Sequence, residues 1–266
     1  IDSSQTKPFF FFFFYTLPHV SLQAPDEYVK KYIGLFDEQP YYGQRGYAST
    51  KFPRSTYAAM ITYLDDQVGI IMQKIKKMGL DENTIIMFSS DNGASKEGDA
   101  DITFFNSVEG LRGLKRDLYE GGIRVPFISR WPGKISAGKI SNLISAQYDV
   151  LATIAEITNQ KTPASTDGIS FLSTLIGNIN KQKRHSFLYF EFAEKGGQVA
   201  IRMGDWKAVK SNLEKNPTAL WELYNIKTDR NETNNMAAQH QELLKQFNSI
   251  LKKEHRPAPV KEWEFI

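Results

Sequence analysis

Residues 84–93, TIIMFSSDNG, form an apolar run that ends at an Asp-Asn-Gly turn. A short continuous apolar run rich in β-formers is typical of a strand buried on both faces of a parallel sheet. The preceding residues predict a long helix, because Ile61, Leu64, Val68 and Ile71 recur at helical spacing. Strands alternating with helices in this way indicate an α/β fold.

Two further segments extend this α/β pattern. Six consecutive phenylalanines, Phe9–Phe14, predict a second central strand, and residues 124–129 predict a third short one. A helix is predicted at residues 149–158. We assign residues 1–180 to this α/β part of the chain.

After about residue 177 the pattern changes to short alternating segments separated by Gly-Gly, Gly-Asp and Asn-Pro turns. Such spacing predicts a small antiparallel sheet, with strands at 186–192, 199–203, 206–210 and 221–226. An amphipathic helix at residues 236–253 closes the chain. We assign residues 181–266 to this antiparallel-sheet and helix subdomain.

Composition excludes several classes of function. Hydrophobic residues make up 41% and charged residues 24% of the 266-residue chain, which is ordinary for a globular protein. A net charge of +3 is too weak to indicate a nucleic-acid partner. The sequence has no apolar run of about eighteen residues, so we expect no membrane-spanning helix. Cysteine is absent, which excludes disulfides and thiol nucleophiles.

Four polar residues lie just after a predicted strand or in a loop. Asp91 and Asn92 form an ordinary turn or, at the carboxyl edge of a sheet, offer two oxygen ligands to Ca²⁺ or Mg²⁺. His19 follows the phenylalanine run and is either a solvated imidazole or a proton donor. Lys115 lies in a Gly-rich loop and is either a surface lysine or a cation that contacts an anionic substrate.

The order of motifs along the chain resembles the sulfatase family, within the alkaline-phosphatase-like superfamily. The matching stretches are YTLPHV (15–20), YLDDQVG (63–69), FSSDNG (88–93), LRGLK (111–115), EGGIRVP (120–126), RWPG (130–133), RMGDWK (202–207) and ELYN (222–225). This resemblance implies an alkaline-phosphatase-like, mostly parallel sheet flanked by helices, incomplete here and followed by the small antiparallel sheet with its helix.

The resemblance also implies roles for the candidate residues. Asp91 and Asn92 look like two ligands of the family's divalent cation, usually Ca²⁺ and alternatively Mg²⁺. His19 and Lys115 look like the histidine and lysine that hold the sulfate and serve the leaving-group side. The substrate implied is a sulfate ester, on a sulfated carbohydrate or an aryl group.

The departures from the family pattern are equally informative. The chain has no Cys-x-Pro-x-Arg or Ser-x-Pro-x-Arg element, whose first residue becomes the formylglycine nucleophile, and it lacks the paired aspartates of the family's first strand. It therefore resembles only the C-terminal part of a sulfatase, and we expect the formylglycine on a missing N-terminal part. We predict that this chain alone is inactive, and that it either self-associates through the incomplete sheet or keeps that region of the sheet mobile.

Two alternatives stay open. The first alternative is a related hydrolase of the same superfamily that acts on phosphate or phosphonate esters. The second is a non-catalytic binding module that keeps the fold. We expect substrate choice to depend on the segments 41–57 and 194–198, because loop residues set specificity. By resemblance, we expect an exported protein, in the periplasm, outside the cell or in a lysosome-like compartment.

Overall fold

A computed structural model describes residues 7–266 and divides the chain into two compact units that interleave along the sequence. The first unit contains the described residues up to 86, together with 94–107 and 131–133. The second contains residues 87–93, 108–130 and 134–266. Among the described residues, no helix has both the length and the apolar character needed to cross a membrane.

The first unit is built on the long predicted helix. Helix α1 (Asp26–Val29) precedes helix α2 (Pro53–Lys77). The proline suits the first turn, where its missing N–H has no partner to lose. The helix ends just before Gly79, whose φ of +70° is the left-handed conformation of a helix C-terminus. The prediction of this helix is confirmed, although it begins earlier than its apolar stripe indicated.

The phenylalanine run Phe9–Phe14 does not form the predicted buried strand. Rings at alternate positions contact each other, with 5.2 Å between the centroids of Phe9 and Phe11, as expected of an extended chain. Most of the run is nevertheless exposed, and Phe14 is 85% exposed. A strand needs a neighbour that pairs with its N–H and C=O groups, and no described segment pairs with this one. The prediction of a buried central strand is wrong for that reason.

A two-stranded sheet is formed by β1 (Ile86–Ser89) and β2 (Phe127–Arg130), which belong to the second unit from residue 87 onward. Both strands were predicted, but β1 is shorter and only half-buried, and β2 is displaced toward its carboxyl end. The helices of this part are α3 (Glu120–Ile123), α4 (Asp149–Ile157) and α5 (Leu172–Leu175). Short 3-10 turns lie at Asp81–Asn83, Glu97–Asp99, Ile179–Lys181, Ala237–Gln239 and Lys261–Trp263.

The C-terminal antiparallel sheet agrees with its prediction. Its strands β3 (Leu188–Phe192), β4 (Gln198–Met203), β5 (Trp206–Lys210) and β6 (Glu222–Asn225) lie in sequence order. Helix α6 (Gln241–Glu254) follows, as expected. The domain boundary at residue 180 stays a prediction, since the compact units follow a different, interleaved division.

Both faces of this sheet are covered. On one face Ile201, Ala208 and Leu223 pack with Phe247 of α6, and all four are fully buried. On the other face Val209 and its neighbours pack against Leu118 and Tyr119, which directly precede α3. The sheet therefore lies between its own helix and the segment that follows the Lys115 loop.

Candidate active site

The turn that follows β1 is fixed by a close backbone contact with α3. The Gly93 N–H donates a 2.9 Å hydrogen bond to the carbonyl oxygen of Gly122. A Cβ placed on Gly93 would lie 1.9 Å from the carbonyl oxygen of Gly121, which leaves no room for any other residue. The glycine of the Asp-Asn-Gly motif is thus required by packing as well as by the turn.

The turn leaves oxygen atoms of Asp91 and Asn92 available. Asp91 is exposed, and its carboxylate makes no hydrogen bond or ion pair within the described residues. The Asn92 Nδ2 donates a 2.9 Å hydrogen bond to the Gly93 carbonyl, which leaves Oδ1 without a partner in residues 7–266. Carboxylate and amide oxygens are the ligands that Ca²⁺ and Mg²⁺ prefer.

Two such oxygens are only part of a metal site. Calcium takes roughly six to eight oxygen ligands. Across the described part of the chain, no group of three or more His, Asp or Glu side chains is placed to hold a metal ion. Asp91 and Asn92 therefore fit a divalent cation by their chemistry, and the other ligands would have to come from elsewhere.

The loop that carries Lys115 also packs against α3. The Gly121 N–H donates a 2.7 Å hydrogen bond to the Arg112 carbonyl. A Cβ on Gly121 would lie 2.2 Å from the Gly113 carbonyl oxygen, and one on Gly122 would lie 2.1 Å from that of Asp117. The two glycines of α3 thus let the Asp91 turn and the Lys115 loop pack on the same short helix, backbone against backbone.

Lys115 is the unpaired cation of its loop. It is half-buried, and its ammonium makes no ion pair with any described residue. The next two residues are paired: Arg116 with Glu194 at 3.0 Å, and Asp117 with Lys195 at 2.7 Å. The charge of Lys115 is therefore the one that remains for an anionic ligand.

His19 belongs to the first unit, where it is exposed and held by a turn. Its backbone N–H donates to the Thr16 carbonyl at 2.7 Å. Its Nδ1 lies 2.7 Å from the Val20 carbonyl oxygen, and because a carbonyl only accepts, Nδ1 is the protonated nitrogen. Nε2 is then an acceptor in the neutral ring and a proton donor in the charged one.

A buried ionic cluster, which the sequence did not reveal, supports α3 from the C-terminal sheet. Lys207 on β5 is fully buried, and its Nζ lies 3.0 Å from Glu120 Oε1 and 2.9 Å from Glu232 Oε1. The Glu120 N–H, in the first turn of α3, donates a 2.7 Å hydrogen bond to Glu232 Oε2. The motif RMGDWK contained this lysine, but strand alternation alone did not show its partners.

The pKa values of the two carboxyls in this cluster are shifted in opposite directions. Burial raises the pKa of Glu120, but Lys207, Arg202 and Arg124 together outweigh burial, so the pKa of Glu120 lies below its usual value. Burial dominates at Glu232 and raises the pKa of that carboxyl despite the same lysine. Removing Lys207 would therefore leave Glu232 as an uncompensated buried acid.

Comparisons with known proteins identify the family of the chain. The family model "Sulfatase" matches residues 1–160, and the model "N-sulphoglucosamine sulphohydrolase, C-terminal" matches residues 113–256. An N-acetylgalactosamine-6-O-sulfatase of Bacteroides thetaiotaomicron is 29% identical over 252 residues, covering 84% of this chain and 48% of that protein.

Solved structures give the same result. One structure, described in connection with the metabolism of multiple glycosaminoglycans by Bacteroides thetaiotaomicron, has a TM-score of 0.74 at 26% identity. The match covers 95% of this chain and 51% of the chain in that structure. Ps i-CgsB in complex with k-i-k-neocarrahexaose has a TM-score of 0.71 at 28% identity, covering 89% of this chain and 48% of the other.

These matches define an α/β protein of the alkaline-phosphatase-like fold, followed by a small antiparallel sheet. More particularly, the chain belongs to the sulfatase family. It spans about half the length of the curated relative described above, 48% of that protein. The family and the fold are thereby established, while the roles of His19, Asp91, Asn92 and Lys115 stay predictions.

Proposed function

We propose that this chain supplies one part of the active site of a sulfuric ester hydrolase that acts on a sulfated carbohydrate. The observation that carries the proposal is the joint packing of the Asp91 turn and the Lys115 loop on α3. An unpaired cation and two free oxygen ligands are thereby built onto one element. Relatives named for sulfated amino sugars support the substrate class.

The chemistry follows from the charges that develop in the reaction. As the S–O bond to the substrate alcohol breaks, the Lys115 ammonium offsets negative charge on the sulfuryl oxygens. The protonated Nε2 of His19 gives its proton to the departing alcohol oxygen, so that a neutral alcohol leaves. A divalent cation bound at Asp91 and Asn92, with further ligands, would add electrostatic stabilisation of the same oxygens.

The nucleophile has to come from outside these residues. The chain has no cysteine and no Ser-x-Pro-x-Arg element from which formylglycine is made. We therefore expect the 266-residue chain on its own to show no turnover of an aryl sulfate. Measurable hydrolysis by the isolated chain would contradict this part of the proposal.

Substitutions in a complete enzyme that includes this chain test the two assigned roles. We expect Lys115→Ala and His19→Ala each to lower kcat about 100-fold or more, the scale of losing one acid or charge stabiliser. Lys139→Ala, which removes an exposed lysine, is the matched control and should leave kcat unchanged. Rates within about twofold of the parent in both site variants would refute the assignment.

The substrate class is tested separately with paired substrates. Sulfated amino-sugar oligosaccharides should be hydrolysed with a higher kcat/KM than an aryl sulfate, and an aryl phosphate should react more slowly than either. A preference for the phosphate would favour a phosphate ester hydrolase of the same fold. An exported or lysosome-like location is the matching expectation, and localisation of the tagged complete protein tests it.

A further inference from the structure

Gln198 is a buried polar residue that clamps the Lys115 loop from the C-terminal sheet. It is the first residue of β4 and is 2% exposed. Its Nε2 donates a 2.8 Å hydrogen bond to the Arg116 carbonyl, and its Oε1 accepts a 3.3 Å bond from the Leu118 N–H. One side-chain amide thus bonds the backbone on both sides of Asp117.

The loop needs such a clamp because its backbone is strained next to Lys115. Arg116 has a φ of +76°, in the left-handed region that a non-glycine residue adopts at a cost. Conformations of this kind persist only when surrounding contacts hold them. The Gln198 bond to the Arg116 carbonyl acts directly on that residue.

The other contacts between the loop and the β3–β4 turn are weaker supports. Arg116 pairs with Glu194 and Asp117 with Lys195, but one partner or both are exposed in each pair, and only the Asp117 side chain is partly buried. Exposed ion pairs contribute little, whereas a buried hydrogen bond that loses its partner leaves a desolvated group unsatisfied. Among the contacts between this loop and the β3–β4 turn, Gln198 is therefore the one on which the loop conformation depends most.

We propose that Gln198 is a positioning residue that sets the conformation of the Lys115 loop. It touches neither substrate nor reacting atoms, and it acts through the backbone of Arg116 and Leu118. The proposal rests on the assignment of Lys115 to the site, but its test requires no turnover. The segment 194–198, which we expect to influence substrate choice, would then also hold the Lys115 loop in place.

Amide hydrogen exchange on the complete 266-residue chain tests the proposal. Gln198→Met keeps the side-chain length and removes both hydrogen bonds to the loop, together with the 3.4 Å hydrogen bond from Nε2 to the Glu194 carbonyl. We expect the Asp117 and Gly121 amides, bonded to Leu114 and Arg112 carbonyls, to exchange about 10- to 100-fold faster. The backbone amide resonance of Lys115 should shift in the same variant.

A matched control comes from a second glutamine that clamps a loop. The Gln182 Oε1 accepts from the Thr174 N–H at 2.9 Å, and its Nε2 donates to the Ser170 carbonyl at 2.8 Å. Gln182→Met should leave the Asp117 and Gly121 amides unchanged. Unchanged exchange in Gln198→Met would overturn the proposal, as would an acceleration that is equally large in the Ile201 amide of β4.

A conservative variant separates positioning from general support. In Gln198→Glu the carboxylate still accepts from Leu118 but donates to Arg116 only when it is protonated. The Lys115 resonance should therefore move toward its parent position as the pH falls through the pKa of the introduced carboxyl. The absence of any such titration would count against the proposal, whatever the outcome for sulfate hydrolysis.

Discussion

Replacing Gly93 by alanine perturbs the contact on which the candidate site is built. The added Cβ would lie 1.9 Å from the Gly121 carbonyl oxygen and 2.8 Å from its carbonyl carbon, and ordinary contacts begin at 3.4 Å. The turn must therefore move by more than an ångström, which breaks the 2.9 Å bond from the Gly93 N–H to Gly122. Overpacking and the lost bond together should destabilise the second unit by about 2–4 kcal/mol.

Urea denaturation and amide exchange measure this effect. Gly69→Ala is the matched control, because Gly69 lies inside α2 and an added Cβ there would have no atom within 4 Å apart from the adjacent backbone of its own helix. Gly69→Ala should raise the free energy of unfolding by about 0.5–1 kcal/mol, since alanine is the better helix former. A loss below about 0.5 kcal/mol in Gly93→Ala, with the residue 93 amide as protected as before, would refute the close contact.

Three further outcomes are expected. Calorimetry should find weak or no Ca²⁺ binding to the isolated chain, because Asp91 and Asn92 provide too few ligands. A dissociation constant in the low micromolar range would instead show that the metal site is complete. Lys207→Met should lower the free energy of unfolding by about 3–5 kcal/mol, because it leaves the buried Glu232 without its cationic partner. The control Lys210→Met, on the same strand, should cost far less, and equal losses in the two variants would contradict a stabilising role of the ionic cluster. Light scattering should detect concentration-dependent association through Phe9–Phe14, and a strictly monomeric chain would exclude it.

The C-terminal sheet could be predicted from the sequence because its signals are local. Each strand alternates with period two, and Gly-Gly, Gly-Asp and Asn-Pro dipeptides mark the turns, so β3 to β6 are found within a few residues. The run Phe9–Phe14 gave an equally strong local signal, and its rings do alternate along an extended chain. Burial of a strand, however, depends on what pairs with it, and sequence alternation carries no information about that neighbour.

The same distinction holds in the candidate site. Asp91, Asn92 and Lys115 were identified because each follows a strand or lies among glycines, which are features of adjacent residues. Gln198 and Lys207 were not identified as supports, because the residues that they hold in the Lys115 loop and α3 lie 80 to 87 residues away along the chain. A lysine at an inward-facing strand position was the available signal, since Lys207 shares its side of β5 with the buried Val209.

The small sheet is thus joined to the candidate site by two different kinds of contact. Leu118 and Tyr119 cover its apolar face next to Val209, so the segment that completes the sheet's core also carries the chain from the Lys115 loop into α3. Polar clamps at Gln198 and Lys207 then fix the conformation of that segment. Loss of apolar contact would unfold sheet and loop together, whereas loss of the Gln198 clamp should release the loop alone. Exchange at Gly121 compared with Ile201 therefore distinguishes a positioning role of the sheet from a purely stabilising one.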